Sequence, residues 1–101
     1  MPIYETAHYQ VNAEAVEKVT AAIETFVRYV SENEPGARMY SAWQQEDDAT
    51  KFVHLFIFVD ESAQEVHSNS QAVKEFEAAY GPELVDGPVV FTRYRLVASN
   101  T

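Results

Sequence analysis

The stretch KFVHLFIFVD, residues 51–60, is the most apolar run of the chain. Successive side chains of a β-strand point to opposite faces, and this run carries a different set on each face. One face is aliphatic and consists of Val53, Leu55, Ile57 and Val59. The other face is aromatic and consists of Phe52, His54, Phe56 and Phe58. A strand that is apolar on both faces needs cover on both sides, so we expect helices over the aromatic face and a second subunit over the aliphatic face.

The sequence around this strand predicts three further strands and three helices. Period-two patterns predict strands over 3–11, 37–45, 51–59 and 89–97, with a polar turn at 46–50. Asn12, Asp60 and Ser70 are the expected N-caps of helices that end near Asn33, His67 and Tyr80. The order β-α-β-β-α-α-β predicts an α+β fold, a ferredoxin-like four-stranded antiparallel sheet with helices on one face.

Length and composition narrow the range of functions. We expect 101 residues to form one domain over 1–101, with an ordered core over 3–97. A net charge of −9 with seven scattered lysines and arginines disfavours nucleic acid and anionic membranes as partners. No apolar run reaches the roughly 20 residues of a membrane span, and MPIYETAHYQ does not have the pattern of a signal peptide, so we expect a cytoplasmic protein.

Two histidines are candidates for acid–base chemistry. His54 is expected between sheet and helices, either as a core residue bonded to a carbonyl or tyrosine, or as a neutral base beside a ligand. His67 near the end of the second helix is expected either to interact with the helix dipole or to act as an acid or base at a pocket mouth. The histidines form no local metal motif, the chain has no Gly-rich phosphate loop, and we expect neither metal nor cofactor.

The aromatic residues predict a pocket for a small hydrophobic or aromatic ligand. We expect it to be lined by Tyr9, Tyr40, Phe52, Phe56, Phe58, Phe76 and Tyr94. Arg93 and Arg95 are expected to form ion pairs at a subunit interface, and Trp43 to pack in the core or at that interface.

The segments ENEPGARMYSAWQ, KFVHLFIFVDESAQEVHSNSQAVKEFEAAYGPEL and GPVVFTRYRLV resemble the antibiotic-biosynthesis monooxygenase family. The similarity lies in the Glu-Pro-Gly turn, in the Asp-Glu-x-Ala start of the short helix and in His67, Ser70, Lys74, Phe76 and Tyr94. The resemblance implies a dimeric α+β barrel with a pocket in each subunit. The family includes oxygenases that need no metal or flavin and act on aromatic polyketides or quinols, so the resemblance also implies an activity of this kind.

The chain departs from the family's pattern at several positions. Phe56 and Phe58 stand where many members carry a Glu and a Trp, and Ala7, Phe58 and Glu77 stand where the haem-degrading branch carries Asn, Trp and His. We therefore do not expect haem degradation. The leading hypothesis is a cofactor-independent monooxygenase in which His54 and His67 serve as the acid–base groups. The alternatives are a non-catalytic dimeric barrel that binds a hydrophobic ligand, and an isomerase or lyase on the same scaffold.

Overall fold

The computed structural model describes residues 1–101 and contains one sheet of four antiparallel strands with helices packed against one face. The predicted ferredoxin-like fold class is thereby confirmed. The elements are β1 (Ile3–Val11), a 3-10 turn (Ala13–Ala15), α1 (Val16–Asn33), β2 (Ala37–Gln45), β3 (Asp48–Phe58), α2 (Glu61–Ser68), α3 (Gln71–Tyr80), a second 3-10 turn (Gly81–Glu83) and β4 (Leu84–Tyr94).

The order of the sheet is β2-β3-β1-β4, so the apolar strand β3 lies in the interior of the sheet between β2 and β1. The aromatic face of β3 is buried under the helices, as the alternation predicts. On β1, Ile3, Glu5, Ala7, Tyr9 and Val11 occupy the same inner face and are buried. The inner faces of the two central strands and the helices therefore enclose the core.

The aliphatic face of β3 is only half-buried in the single chain. Its cross-strand neighbours extend an apolar surface, because Trp43 pairs with Val53 and Val90 pairs with His8, which itself pairs with Val53. Trp43 is 55% exposed, and Tyr94 on the same side is also exposed. We call this side of the sheet the open face.

Helix α1 covers the inner face with an apolar stripe formed by Val19, Ile23, Phe26 and Val30, all of them buried. Its end at Asn33 agrees with the sequence, but the predicted cap at its start is wrong. The side chain of Asn12 caps no helix, because a 3-10 turn intervenes and the Asn12 backbone N–H donates instead to the Glu83 carbonyl. This bond ties the start of the helical layer to the start of β4.

The predicted caps of the two short helices are confirmed. The Asp60 carboxylate accepts from the Ala63 N–H at 2.9 Å, and the Ser70 hydroxyl accepts from the Val73 N–H at 3.1 Å. Each cap satisfies one backbone donor that the first turn of a helix leaves without a partner. These caps fix where α2 and α3 begin and therefore which of their residues face the sheet.

Two strand boundaries differ from those predicted. Strand β3 begins at Asp48 rather than at residue 51, because Asp48 already pairs with Gln45 and the turn needs only two residues. Strand β4 runs over Leu84–Tyr94 rather than over 89–97. It begins early and then bulges, since Val85 pairs with Gln10 but pairing resumes only at Val90. Asp86 and Gly87 adopt the positive φ values of 60° and 99° that this bulge requires.

The Glu-Pro-Gly turn brings α2 close to the end of β3. A Cβ at Gly36 would lie 2.5 Å from the Cβ of Ala63, while one at Gly81 would meet nothing within 4 Å. We predict that Gly36→Ala lowers the free energy of unfolding by about 1–3 kcal/mol, because the added methyl displaces α2. Gly81→Ala, at a helical position, should change it by less than about 1 kcal/mol. Urea unfolding of both variants checks this; equal stabilities would contradict it.

Candidate functional site

A cavity of about 390 Å³ lies between the inner face of the sheet and the helices, within the range typical of small-molecule sites. It has room because the residue paired with His54 on β1 is the small Ala7, which lines the cavity. Phe91, which is 59% exposed, and the exposed residues Ser68 and Glu77 also line it and mark its open side. A ligand could therefore enter between β4 and the helical layer.

His54 lies in the cavity wall with 1% of its surface exposed. Its Nε2 is 2.7 Å from the Tyr9 hydroxyl and its Nδ1 is 2.9 Å from the Tyr40 hydroxyl. Burial lowers the pKa of His54 to about 4, so its imidazole is neutral near pH 7. One tyrosine hydroxyl then donates to the unprotonated nitrogen, and the other accepts from the ring N–H. No nitrogen of His54 is left free for a ligand.

The tyrosines around His54 are held in their protonated form. Burial raises the pKa of both Tyr9 and Tyr40 well above the ordinary phenol value, and burial with the nearby Glu77 raises the pKa of Tyr80 to about 12. The Tyr9–His54–Tyr40 array is therefore a neutral part of the wall in which both imidazole nitrogens are hydrogen-bonded. It corresponds to the tyrosine-bonded alternative that the sequence left open.

His67 has a different environment. It is buried, and its Nδ1 lies 2.7 Å from Oε1 of the buried Glu34 carboxylate, to which the Nδ1–H donates. Its Nε2 makes no hydrogen bond, yet it is not fully enclosed, and His67 lines the cavity. The ring packs against Phe58 and Phe26 at centroid distances of 4.9 and 5.4 Å. A carboxylate thus fixes the tautomer of a histidine whose other nitrogen is free to act as a base.

Glu34 was not among the candidate residues predicted from the sequence. It was considered there only as part of the Glu-Pro-Gly turn. It stands 33 positions from His67, and no local motif joins them. One feature of the sequence could have pointed to this pair. Glu34 is an acidic residue in a tight turn, and that turn lies beside the strand that leads to the helix of His67. The second oxygen of Glu34, Oε2, is buried without a hydrogen-bond partner.

A second polar group faces the cavity from β1. Glu5 is buried and accepts from Gln64 Nε2 at 2.5 Å, and Arg93 Nε lies 3.8 Å from its Oε1. Arg93 also donates to Glu61 at 2.8 Å and to Gln64. Arg93, for which we expected an ion pair across a subunit interface, instead joins β4 to α2 within its own chain.

Most of the predicted pocket residues line one cavity, and two do not. Tyr94 pairs with Tyr4 on the open face, so the expectation that it faces the pocket is wrong, and Phe91 of the same strand lines the cavity instead. Phe52 lies one inward position closer to the hairpin, where its ring stacks on Tyr9 at 5.5 Å and lines a separate depression. The predicted residues that line the cavity are Tyr9, Tyr40, His54, Phe56, Phe58, His67 and Phe76.

The structure offers no cluster of three or more His, Cys, Asp or Glu side chains that could hold a metal ion. None of its helices has the length and apolar character that crossing a membrane requires.

The sheet and its helices place the chain in the class of small α+β domains with a ferredoxin-like fold. Within that class, residues 2–79 match the family model described as antibiotic biosynthesis monooxygenase, and the chain belongs to that family. The sequence matches no curated protein at a significant level.

Solved structures with the same fold cover nearly the whole chain. A candidate antibiotic biosynthesis monooxygenase from Caulobacter crescentus has a TM-score of 0.87 at 21% identity, with coverage of 96% of this chain and 91% of that one. A second, from Bacteroides thetaiotaomicron, has a TM-score of 0.90 at 14% identity, with coverage of 99% and 93%. A Mycobacterium tuberculosis protein has a TM-score of 0.85 at 19% identity, with full coverage of both chains. At these identities the likenesses establish the fold.

The environment of His54 predicts a specific loss of stability in mild acid. Because burial depresses its pKa from 6.5 to about 4, the unfolded chain binds a proton here at a higher pH than the folded chain does. The stabilisation is present above pH 6.5 and is lost progressively as the pH falls towards 4. We expect the His54 contribution to fall by about 2 kcal/mol between pH 7 and pH 5.

Urea unfolding at both pH values, compared with His54→Gln, isolates this contribution, since the other titrating groups are common to both proteins. The variant should be less stable at pH 7 and should lose about 2 kcal/mol less on acidification. Parallel pH profiles for the two proteins would contradict the assignment of a neutral, buried His54.

Proposed function

We propose that this chain is a cofactor-independent monooxygenase that acts on a small, electron-rich aromatic substrate of the quinol or anthrone type. The observation that carries the proposal is the Glu34–His67 pair, whose free Nε2 belongs to the wall of an aromatic cavity. Membership of the antibiotic biosynthesis monooxygenase family supports the same reaction class.

The first step is removal of a proton from the bound substrate. His67 Nε2 takes the proton from a phenol O–H or from the acidic C–H of an anthrone, and the imidazolium that forms is stabilised by Glu34 through Nδ1–H. Both side chains of the pair are buried, and this strengthens the charge interaction between them. The buried Glu34 carboxylate thus lies beside the ring on which the reaction places a positive charge.

The second step is reaction of the electron-rich anion with dioxygen. One electron passes from the substrate anion to O₂, and the resulting radicals combine to form a C–O bond as a peroxide. The peroxide takes up the proton from His67, and loss of a second C–H proton with cleavage of the O–O bond leaves a carbonyl and one water. For an anthrone the balance is C₁₄H₁₀O + O₂ → C₁₄H₈O₂ + H₂O.

In this proposal His54 does not react with the substrate but holds neighbouring tyrosines in place. Its two nitrogens hold Tyr9 and Tyr40 at 2.7 and 2.9 Å, and its ring stacks on Phe76 at 5.7 Å. Together with Phe56 and Phe58, these rings provide flat surfaces on which an aromatic substrate can lie. The base is therefore assigned to His67 rather than shared between the two histidines.

Oxygen uptake with metal-stripped protein tests the reaction. With anthrones and quinols as substrates and no added cofactor, we expect one O₂ consumed per substrate, and His67→Gln should lower the rate by about 10²–10⁴-fold. Glu34→Gln should lower it by a smaller factor and shift the pH–rate profile, because the neutral amide stabilises the imidazolium less. Glu32→Gln removes the same charge at an exposed position two residues earlier and should leave the rate unchanged.

Uptake that does not depend on His67 would refute the assigned base. Substrate conversion without oxygen consumption would favour an isomerase or lyase that uses the same base. Binding without conversion would favour a non-catalytic carrier.

We also propose that the chain forms a homodimer through the open face, as the resemblance implies. The open face carries Trp43, Val53, Leu55, Ile57 and Val59 as a contiguous apolar surface beside two exposed β4 side chains. On the same face the buried hydroxyl of Thr6 has no hydrogen-bond partner within the chain. A second copy would cover the apolar side chains and enclose the sheet from both sides.

Light scattering after size-exclusion chromatography tests the dimer at micromolar protein. The expected mass is twice that of the 11.4 kDa chain. Leu55→Asp places a charge in the centre of the open face and should produce a monomer. Val66→Asp, at an exposed valine of α2 on the other side of the molecule, should remain dimeric. A wild-type protein that runs as a stable monomer would contradict the proposal.

A further inference from the structure

We infer that the cavity selects aromatic ligands that enter uncharged and carry hydroxyl groups, that it rejects ligands that enter as anions, and that Glu5 is the residue that determines this selectivity. The inference rests on the proposed function, for which it names the charge and the polar groups of the substrate.

The cavity wall carries negative charge and no positive charge. Glu5 and Glu77 line it, and no lysine or arginine does. The cation nearest to Glu5 is Arg93, which lies 3.8 Å from the carboxylate but donates at 2.8 Å to Glu61 on the outside. Its charge is therefore shared between two carboxylates. An anionic ligand would find no cation to pair with inside the cavity.

The position of Glu5 in the fold makes its charge effective. It occupies the inner face of β1, where the other residues are Ile3, Ala7, Tyr9 and Val11, and it is only 8% exposed. Repulsion between like charges is much stronger in such surroundings than in water. A buried carboxylate on an otherwise apolar strand face disfavours folding unless it is compensated, and here Gln64 and Arg93 compensate it. These two contacts keep the carboxylate at the wall of the cavity, where a ligand would meet it.

Two hydrogen-bond acceptors of the wall, the Glu5 carboxylate and Nε2 of His67, favour a ligand that donates hydrogen bonds. An ionised Glu5 only accepts, and Nε2 of His67 is an acceptor while its Nδ1–H is given to Glu34. Both imidazole nitrogens of His54 are occupied by Tyr9 and Tyr40, and the tyrosine that accepts from the ring N–H keeps its own O–H as a donor. Hydroxyl groups on an aromatic ring would donate to Glu5 and to His67 while the ring lies against the phenylalanines. A carboxylate or phosphate in the same place would set acceptor atoms against Glu5 and against Nε2 of His67.

Binding of two matched probes tests the inference without any catalysis. 2-Naphthol is uncharged at pH 7 and 2-naphthoate is an anion, and the two share one ring system. Isothermal titration calorimetry under nitrogen should show 2-naphthol binding at least about tenfold more tightly to the wild-type protein. Glu5→Gln, which keeps the shape of the side chain, should reduce the preference to about threefold or less, mainly by improving the binding of 2-naphthoate.

Two control variants separate charge from structure. Glu75→Gln removes one negative charge from α3 at an exposed position outside the cavity lining and should keep the wild-type preference. Glu5→Asp keeps the charge and shortens the side chain, so it should keep the preference even if both probes bind less tightly. Circular dichroism of each variant confirms that the fold is retained.

Equal affinity of the wild-type protein for both probes, or binding of neither probe, would overturn the inference. An unchanged preference in Glu5→Gln would overturn the role of Glu5. These failures are distinct from failure of the proposed function. A protein that prefers 2-naphthol but consumes no oxygen with any substrate keeps the selectivity and loses the oxygenase. A protein that oxidises anthrones but binds both probes equally does the reverse.

Discussion

The strict alternation of side chains along β3 is the constraint on which the rest of the structure depends. Because the strand lies inside the sheet with apolar residues on both sides, exposing either face to water would be unfavourable in free energy. The aromatic face is covered by helices that stand far enough away to leave a cavity, and the aliphatic face is left open in the single chain. A shift of one residue in the pairing would exchange the two faces, so the register of β3 also fixes which side holds the site.

Two histidines are buried in the same aromatic layer, and their hydrogen-bond partners are of opposite kinds. His54 is surrounded by neutral hydroxyls, and its lowered pKa keeps it uncharged. His67 is placed against a carboxylate, which makes a positive charge on its ring tolerable. The first arrangement leaves no ring nitrogen free for a ligand, and the second leaves Nε2 free. Proximity to an aromatic core therefore says little about the role of a histidine until its hydrogen-bond partners are known.

The fold could be predicted from local patterns, since the alternation in β1 and β3, the α1 stripe and the Asp60 and Ser70 caps all act over a few residues. The site could be predicted only in part. The cavity walls followed from the aromatic face of β3, whereas Tyr94 was misplaced because the bulge at Asp86 and Gly87 and the pairing of β4 with β1 decide which residues of β4 face inward. Glu34 was missed because its partner lies on a distant element. Contacts between residues so far apart in the sequence arise from tertiary packing, and no periodic pattern of residues predicts them.

The turn that ends α1 carries two residues with linked requirements. Glu34 reaches into the core to meet His67 of α2, and two positions later Gly36 allows Ala63 of the same helix to approach. The close approach of α2 to this turn, which also carries His67 towards Glu34, leaves no room for a side chain at position 36. In evolutionary terms, positions 36 and 63 should vary together: a larger residue at one is compatible with an intact acid–base pair only where the other becomes smaller or the helix start is remodelled. Divergence of this turn among relatives would then mark the loss or relocation of the proposed base, whereas divergence of the wall on α3 and β4 would mark a change in the shape of the cavity.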